Sequence, residues 1–242
     1  MTPVGIPLEE TMRFLARALP PAPLRVLEAG AGDGALALAL AASGYDVTAL
    51  DESGDRPRAA GAERICWIEA DFLYYDEKEP YEAVLFTRSL HHMTPIEGAL
   101  DRASALLKPS GILIAEEFAY DRVTLPTARW YYDLESVLEA AGLLPPAGEE
   151  PMEGNPLGRW RKEHAHDPPL HTGHAMLAAA RERFELDSVE EAPYFYRSFC
   201  ERLVEGEPSF RVARRIFELE SRLVRERDLT AAGLRIVGKR GT

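Results

Sequence analysis

Between residues 25 and 117, short apolar runs alternate with stretches patterned for helices, and that rhythm leaves few folds open. RVLEAG at 25–30, DVTAL at 46–50, RICWIEAD at 64–71, YEAVLFT at 81–87 and GILIAEE at 111–117 have strand length and strand composition. GALALALAAS at 34–43 and the stretch at about 95–107 place apolar groups at helical spacing instead. Strands separated by helices pair in parallel, and helices then cover both faces of the sheet. The expectation is a doubly wound α/β domain with a mostly parallel, Rossmann-like sheet.

Outside this region the pattern is looser. LEETMRFLARAL at 8–19 predicts a helix that Pro20-Pro21 ends. After residue 117 the alternation weakens: a helix is expected at 127–143, then a Pro-, Gly- and charge-rich stretch from Pro145 to Pro169. A helix at about 173–183, a strand at 184–196, a helix at about 209–226 and a strand at 234–239 close the chain. Residues 118–171 therefore read as an insertion after the fifth strand. Long connections inside a compact domain commonly serve as lids or binding loops, and a cap within a single domain spanning 1–242 is expected.

Charge and hydropathy restrict the partners. A formal net charge of −12 repels phosphate backbones, which makes nucleic acid a poor substrate class. No run reaches the ~18 uncharged apolar residues of a membrane span, and the first residues, MTPVGIPLEETMRF, lack the pattern of a secretory signal. A cytoplasmic address is expected. Cys66 and Cys200 stand in no metal-ligand spacing and read as buried, reduced thiols.

The first strand runs into Glu28-Ala-Gly30-Ala31-Gly32-Asp33-Gly34. Glycines there allow a tight turn and let main-chain amides approach a ligand. Taken alone the loop is ambiguous, because Gly30-x-Gly32-x-x-Ala35 also fits the dinucleotide pattern and Asp51 stands where a ribose-binding acid belongs in either case. A plain strand-to-helix turn is the third possibility.

Five segments in order separate these readings. The loop resembles the ExGxGxG motif of class I S-adenosylmethionine-dependent methyltransferases, and Asp51 closes strand 2 where that family keeps an acid for the ribose hydroxyls. Asp71-Phe72 resembles the pair whose acidic side chain and following amide read adenine. Thr87-Arg88-Ser89-Leu90-His91-His92-Met93 resembles the "LHH" segment of small-molecule members. Leu107-Lys-Pro-Ser110-Gly111 resembles the "L(K/R)PGG" turn, with Ser110 in place of the first glycine. The resemblance covers 24–117 well and 172–240 in outline, where GLRIVGKR fits the antiparallel seventh strand.

That resemblance implies a seven-stranded sheet of order 3-2-1-4-5-7-6 and S-adenosyl-L-methionine as cofactor. Glu28, Gly30, Ala31, Gly32, Gly34, Asp51, Asp71, Phe72, Thr87 and Ser89 would bind it, with no metal. Methyl transfer from a sulfonium is an in-line displacement with a good leaving group, so alignment and water exclusion dominate. The implied acceptor is a small or medium organic molecule.

His91 and His92 follow strand 4 beside the expected donor; either can serve as base, as substrate wall or as packing. A second group, His164, His166, Asp167, His171 and His174, matches no standard zinc spacing. Of these, His171 and His174, with Trp130, Tyr131 and Trp160 of the insertion, are candidate acceptor contacts; Tyr132 accompanies them. Core packing, and for the histidines a solvated loop with Thr172 capping the next helix, are the competing accounts. Three other functions stay open: a protein or carrier-bound acyl acceptor, a non-catalytic cofactor-binding regulator, and a nicotinamide oxidoreductase.

Overall fold

In a computed structural model of the chain, residues 3–53, 61–145, 155–165 and 169–241 are described. Two compact units emerge. A sheet unit comprises Thr11–Phe118, His171–Glu190 and Leu234–Thr242; a helical unit comprises Met1–Glu10, Ala119–Leu170 and Glu191–Gly233.

The first helix, α1 (Gly5–Ala18), is shared between the two stretches of chain. In the sheet unit follow β1 (Arg25–Ala29), α2 (Ala35–Ala42), β2 (Asp46–Asp51), β3 (Cys66–Glu69), β4 (Tyr81–Thr87), α3 (Ile96–Leu106) and β5 (Leu107–Phe118). The seven-stranded sheet has the order β3-β2-β1-β4-β5-β7-β6, where β6 is Phe184–Ala192 and β7 is Gly233–Arg240. The pairs β1–β2, β1–β4, β2–β3 and β4–β5 are parallel. This is the order expected from the sequence.

The central strands are buried because they carry almost nothing polar: Leu27, Val84, Leu85 and Phe86 are fully enclosed. α2 contains only alanine and leucine, and its Leu36, Ala37 and Leu40 are buried. Strand order reverses between β1 and β4, and in such sheets ligands bind beyond the carboxyl ends at that crevice. The Glu28–Gly34 loop and the turn after β4 both lie at those ends.

The structure departs from the sequence reading in several places. β5 begins at Leu107 and not at Gly111, because Leu107 pairs with Tyr81 and a register shift before Ala83 absorbs the Lys-Pro-Ser segment. Ser110 there is left-handed at φ 60°. Cys66 is exposed, since β3 is an edge strand; Cys200 is buried as expected.

The helical unit holds α4 (Leu125–Ala140), α5 (Pro156–Glu163), α7 (Phe195–Arg202) and α8 (Glu207–Glu226). Neither α5 nor α7 was expected. The strand expected over 184–196 stops at Ala192, because the buried Glu220 carboxylate of α8 accepts from the amides of Tyr194, Phe195 and Tyr196 at 2.6, 2.9 and 2.8 Å and starts a helix there. In the sheet unit α6 (Gly173–Arg183) is capped by Thr172, whose Oγ1 accepts from Ala175 N at 3.1 Å.

Candidate active site

The loop after β1 is shaped by its main chain. Gly30, Gly32 and Gly34 all adopt left-handed conformations, at φ 79°, 53° and 71°. The amides of Gly30 and Ala31 donate to Leu50 O at 2.8 and 3.0 Å, which ties the loop to the end of β2. The three glycines then differ. A Cβ on Gly30 would come within 2.5 Å of Ser89 Cβ, so glycine is required there for space. Among the described residues, a Cβ on Gly32 would meet nothing within 4 Å.

Asp51 closes the cradle that this loop forms. Its Oδ2 accepts from Gly32 N at 2.8 Å, and its Oδ1 accepts from Ser53 N and Oγ at 2.9 and 2.8 Å. Partial burial pushes its carboxyl up, but these bonds from Ser53 and Gly32 outweigh burial and hold it below the usual carboxylate value. Asp51 thus stays anionic, with lone pairs left for further donors.

Glu28, on β1 beneath the loop, is only 2% exposed. Thr87 Oγ1 stands 3.5 Å from its Oε1, while its Oε2 has no hydrogen-bond partner among the described residues. Burial first, then the carboxylates of Asp33 and Asp51, push Glu28 up to about 8. A buried carboxyl oxygen without a partner is costly.

Asp71 Oδ1 accepts from Leu73 N at 2.8 Å and caps the single turn Phe72–Tyr74. The Phe72 ring is core, edge-on to Phe86 with centroids 5.2 Å apart. Ser89 Oγ donates to Ala29 O at 2.6 Å, and Arg88 before it turns out of β4 at φ 62°.

His91 is buried and His92 exposed, with their rings 4.2 Å apart. His91 Nδ1 lies 2.6 Å from Oε2 of Glu117, a fully buried residue near the end of β5 that was not singled out from the sequence. Its signal was legible: two adjacent carboxylates, Glu116-Glu117, end an otherwise apolar strand. Glu116 has a structural partner, Arg235, at 2.6 and 2.8 Å.

The remaining candidates disperse. His171 belongs to the sheet unit, where its N donates to His91 O at 2.9 Å and its Nε2 donates to Met93 O at 3.0 Å. His174 is exposed at the start of α6. In the helical unit, Tyr131 packs against Trp160, Phe195 and Phe199 with ring centroids 5.0–5.6 Å apart, and its hydroxyl meets Ser198 Oγ at 3.0 Å. Trp160 is 4% exposed and donates to Tyr120 O at 3.1 Å; His164 stacks on it at 3.8 Å. Trp130 is half-buried, 6.1 Å from Phe195. His166 and Asp167 lie outside the described residues. Among the described residues no group of three or more His, Cys, Asp or Glu could hold a metal ion, and no helix is long and apolar enough to cross a membrane.

A profile describing a methyltransferase domain matches residues 7–150, more than half the chain and all the site residues above up to Glu117. The chain belongs to the methyltransferase-domain family. Among similar proteins, a demethylmenaquinone methyltransferase of Clavibacter sepedonicus is 35% identical over 117 residues, 46% of each chain. The match thus spans about half the length of that relative. The fold is shared with the N-methyltransferase NodS of Bradyrhizobium japonicum WM9, solved with S-adenosyl-L-homocysteine, at TM-score 0.53 and 14% identity over 97% of this chain and 87% of that one. It is shared equally with the [4+2]-cyclase SpnF, at TM-score 0.57 and 15% identity over 97% and 82%. For this methyltransferase-family chain, then, the family and the fold do not by themselves give the reaction, which must be argued from residues.

Proposed function

We propose that this protein transfers a methyl group from S-adenosyl-L-methionine to a small or medium organic acceptor by in-line displacement. The observation that carries the reading is Glu28 Oε2, a buried carboxyl oxygen without a hydrogen-bond partner among the described residues, beneath a loop whose Gly32 is open and whose neighbour Asp51 is anionic. A ligand with a cationic end and a pair of hydroxyls suits these groups. When bound, S-adenosyl-L-methionine supplies an electrophilic methyl on a sulfonium with a neutral thioether as leaving group. The chain's own work is to bind and orient. Asp51 accepts from the two ribose hydroxyls, the Gly32 and Gly34 main chain lines the methionine end, and Asp71 with the Phe72 amide holds the adenine. Thr87 and Ser89 fix the loop that does this.

In our reading the acceptor contacts fall to the segment expected as an insertion at 118–171. The chain enters it directly from the carboxyl end of β5, and Trp130 is its half-buried aromatic. Tyr131 and Trp160 serve as its core and support those contacts from behind. A small acceptor also agrees with the relatives, named for methyl transfer to demethylmenaquinone and to nitrogen. The net charge of −12 argues against nucleic acid, and a cytoplasmic address is part of the proposal.

Thermal-shift titration with S-adenosyl-L-methionine, S-adenosyl-L-homocysteine and NAD, followed by methyl turnover on a metabolite panel, tests it. Stabilisation by the two sulfur ligands and by no dinucleotide is expected, with methyl transfer to at least one panel member. Stabilisation by NAD alone would sink the proposal; binding without turnover would leave a regulator or another reaction on this fold, as the cyclase illustrates.

A further inference from the structure

We infer that Glu117 positions His91 to take a proton from the acceptor, and that the acceptor is a hydroxyl compound. This rests on the methyl-transfer reading above. Location comes first. The turn Leu90–His92 is pressed against the glycine loop from both sides: Ser89 Oγ bonds Ala29 O, and a Cβ on Gly30 would lie 2.5 Å from Ser89 Cβ and 3.8 Å from Met93 Cε.

Glu117 divides its oxygens between two tasks. Oε1 accepts from Ser89 N and Leu90 N at 3.2 and 3.0 Å, which holds the turn. Oε2 meets His91 Nδ1 at 2.6 Å, which holds the ring. A carboxylate on Nδ1 places the proton there and leaves Nε2 as the basic nitrogen. Phe118, edge-on at 6.2 Å, and His92 fix the ring plane. A wholly buried carboxylate–imidazole pair is expensive, and packing alone would be better served by apolar side chains. The turn's two amides account for one oxygen of Glu117 and leave its bond to the imidazole unexplained.

The substrate class follows from need. A neutral amine, a thiolate or a thioether offers a lone pair without help, whereas a neutral hydroxyl is a poor nucleophile until its proton is leaving. In the step, the acceptor oxygen's lone pair forms the new O–C bond while the donor's S–C pair stays on sulfur. The hydroxyl proton passes to His91 Nε2, and Glu117 neutralises the imidazolium until solvent removes the proton. The ionisable groups around His91 are Glu117 from β5, His92 beside it and His171 from the segment before α6.

Glu117→Gln discriminates positioning from mere support. Its oxygen can still accept from the turn amides, but its amide donates to Nδ1 and moves the ring proton to Nε2, the wrong tautomer for a base. Long-range proton–nitrogen NMR should find His91 protonated at Nδ1 in the parent and at Nε2 in the variant. With S-adenosyl-L-methionine and a panel of substituted phenols, kcat should fall at least ~100-fold, while KM and S-adenosyl-L-homocysteine affinity stay within about threefold. The loss should shrink for nitrophenols that are already ionised at the assay pH. An Nε2-protonated parent ring overturns the proposal, and the parent measurement stands even if the variant fails to fold. A kcat within threefold of the parent, equal losses of kcat and ligand affinity, or methylation of thiols and tertiary amines but no phenol also overturns it. Failure of the parent to bind S-adenosyl-L-homocysteine is a different result, which removes the methyl-transfer reading itself.

Discussion

In the sheet unit the candidate ligand groups hang on main-chain geometry. Three left-handed glycines, two amides bonded to Leu50 O and a carboxylate bonded to Gly32 N define the cradle almost without side-chain packing. The helical unit is organised the other way. Tyr131, Trp160, Phe195 and Phe199 form a ring cluster, and Glu135 is clamped by Arg159 at 3.2 Å and Arg202 at 2.6 Å. Tyr132 donates to Glu163 at 2.6 Å, and Glu220 draws three amides into the start of α7. The first arrangement depends on backbone conformation, so it is sensitive to glycine substitution; the second depends on side-chain packing and paired charges, so it is sensitive to truncation of its rings.

The largest expected effect lies in the helical unit. Trp160 is 4% exposed, touches Tyr131 and Phe195 and carries a bond to Tyr120 O. Trp160→Ala should cost roughly 3–5 kcal/mol by cavity formation, read by urea denaturation. Below the variant's melting temperature, S-adenosyl-L-homocysteine affinity should remain within about threefold, since the cradle's bonds lie within the sheet unit. A parallel collapse of affinity would erase the contrast between the two regions.

Two glycines sharpen it from the other side. Gly32→Val adds a branched side chain at φ 53° in open space, so strain of about 1–3 kcal/mol is the whole folding cost. S-adenosyl-L-homocysteine affinity should nevertheless fall more than ~100-fold, a loss of at least about 2.7 kcal/mol. Gly30→Val pays the same strain and also meets Ser89 Cβ at 2.5 Å, so it should lose stability well beyond Gly32→Val. Calorimetric titration beside thermal melting checks both; equal behaviour of the two variants would mean that the loop is a turn and not a cradle.

How much of this was readable in advance divides along the same line. Gly30, Gly32, Gly34 and Asp51 were legible because left-handed backbone and a strand-end acid leave residue-type signatures at fixed spacing. The sheet order followed from the resemblance those signatures carry. Residues 118–171 were read as an inserted cap; most of them belong to the helical unit, which also draws on 191–233 and 1–10, joined by contacts no local pattern records. α7 was missed because FYRSFCER has strand-like composition and its start is set by Glu220, more than twenty residues downstream. α5 was a different failure: Asn155, whose Oδ1 accepts from Leu157 N at 2.9 Å, followed by Pro156 is a local helix-start signal. Glu117 left a signal as one of two adjacent carboxylates, but its partner His91 is seen only when β5 and the turn after β4 are side by side.

A smaller effect concerns pH. Glu28 titrates near 4.5 as an ordinary carboxyl and at about 8 in the fold, so the folded protein holds this proton more tightly. Its contribution to stability is therefore complete below pH 4.5 and is lost as pH rises toward 8. Glu28→Gln cannot ionise, and the drop in stability between pH 5 and pH 8 should shrink by roughly 2–3 kcal/mol relative to the parent. Urea denaturation at the two pH values checks this, and a parallel pH dependence of both proteins would show that Glu28 holds no proton more tightly in the fold. The variant should also bind S-adenosyl-L-methionine more weakly, which separates a ligand-facing carboxyl from one that is simply buried.

The smallest effect asks whether every left-handed residue of the sheet unit serves a ligand. At the entry to β5, Ser110 sits at φ 60° and Gly111 follows it. Space demands glycine at 111, where a Cβ would come within 2.9 Å of Lys108 O. Only backbone conformation favours it at 110. A left-handed serine costs about 1 kcal/mol or more, and glycine there would return most of that while adding its own entropy cost of roughly 0.5–1 kcal/mol. Ser110→Gly should therefore gain a few tenths of a kcal/mol, a rise of about 1 °C in melting temperature. Ser110→Val should lose at least as much as the glycine gains. Position 110 is the fourth residue of β5, near the strand's amino end, whereas ligands in such sheets bind beyond the carboxyl ends. S-adenosyl-L-homocysteine affinity should accordingly be unchanged in both variants. A change in affinity at this end would mean that left-handed geometry in the sheet unit is coupled throughout, and that the cradle is not separable from the fold that carries it.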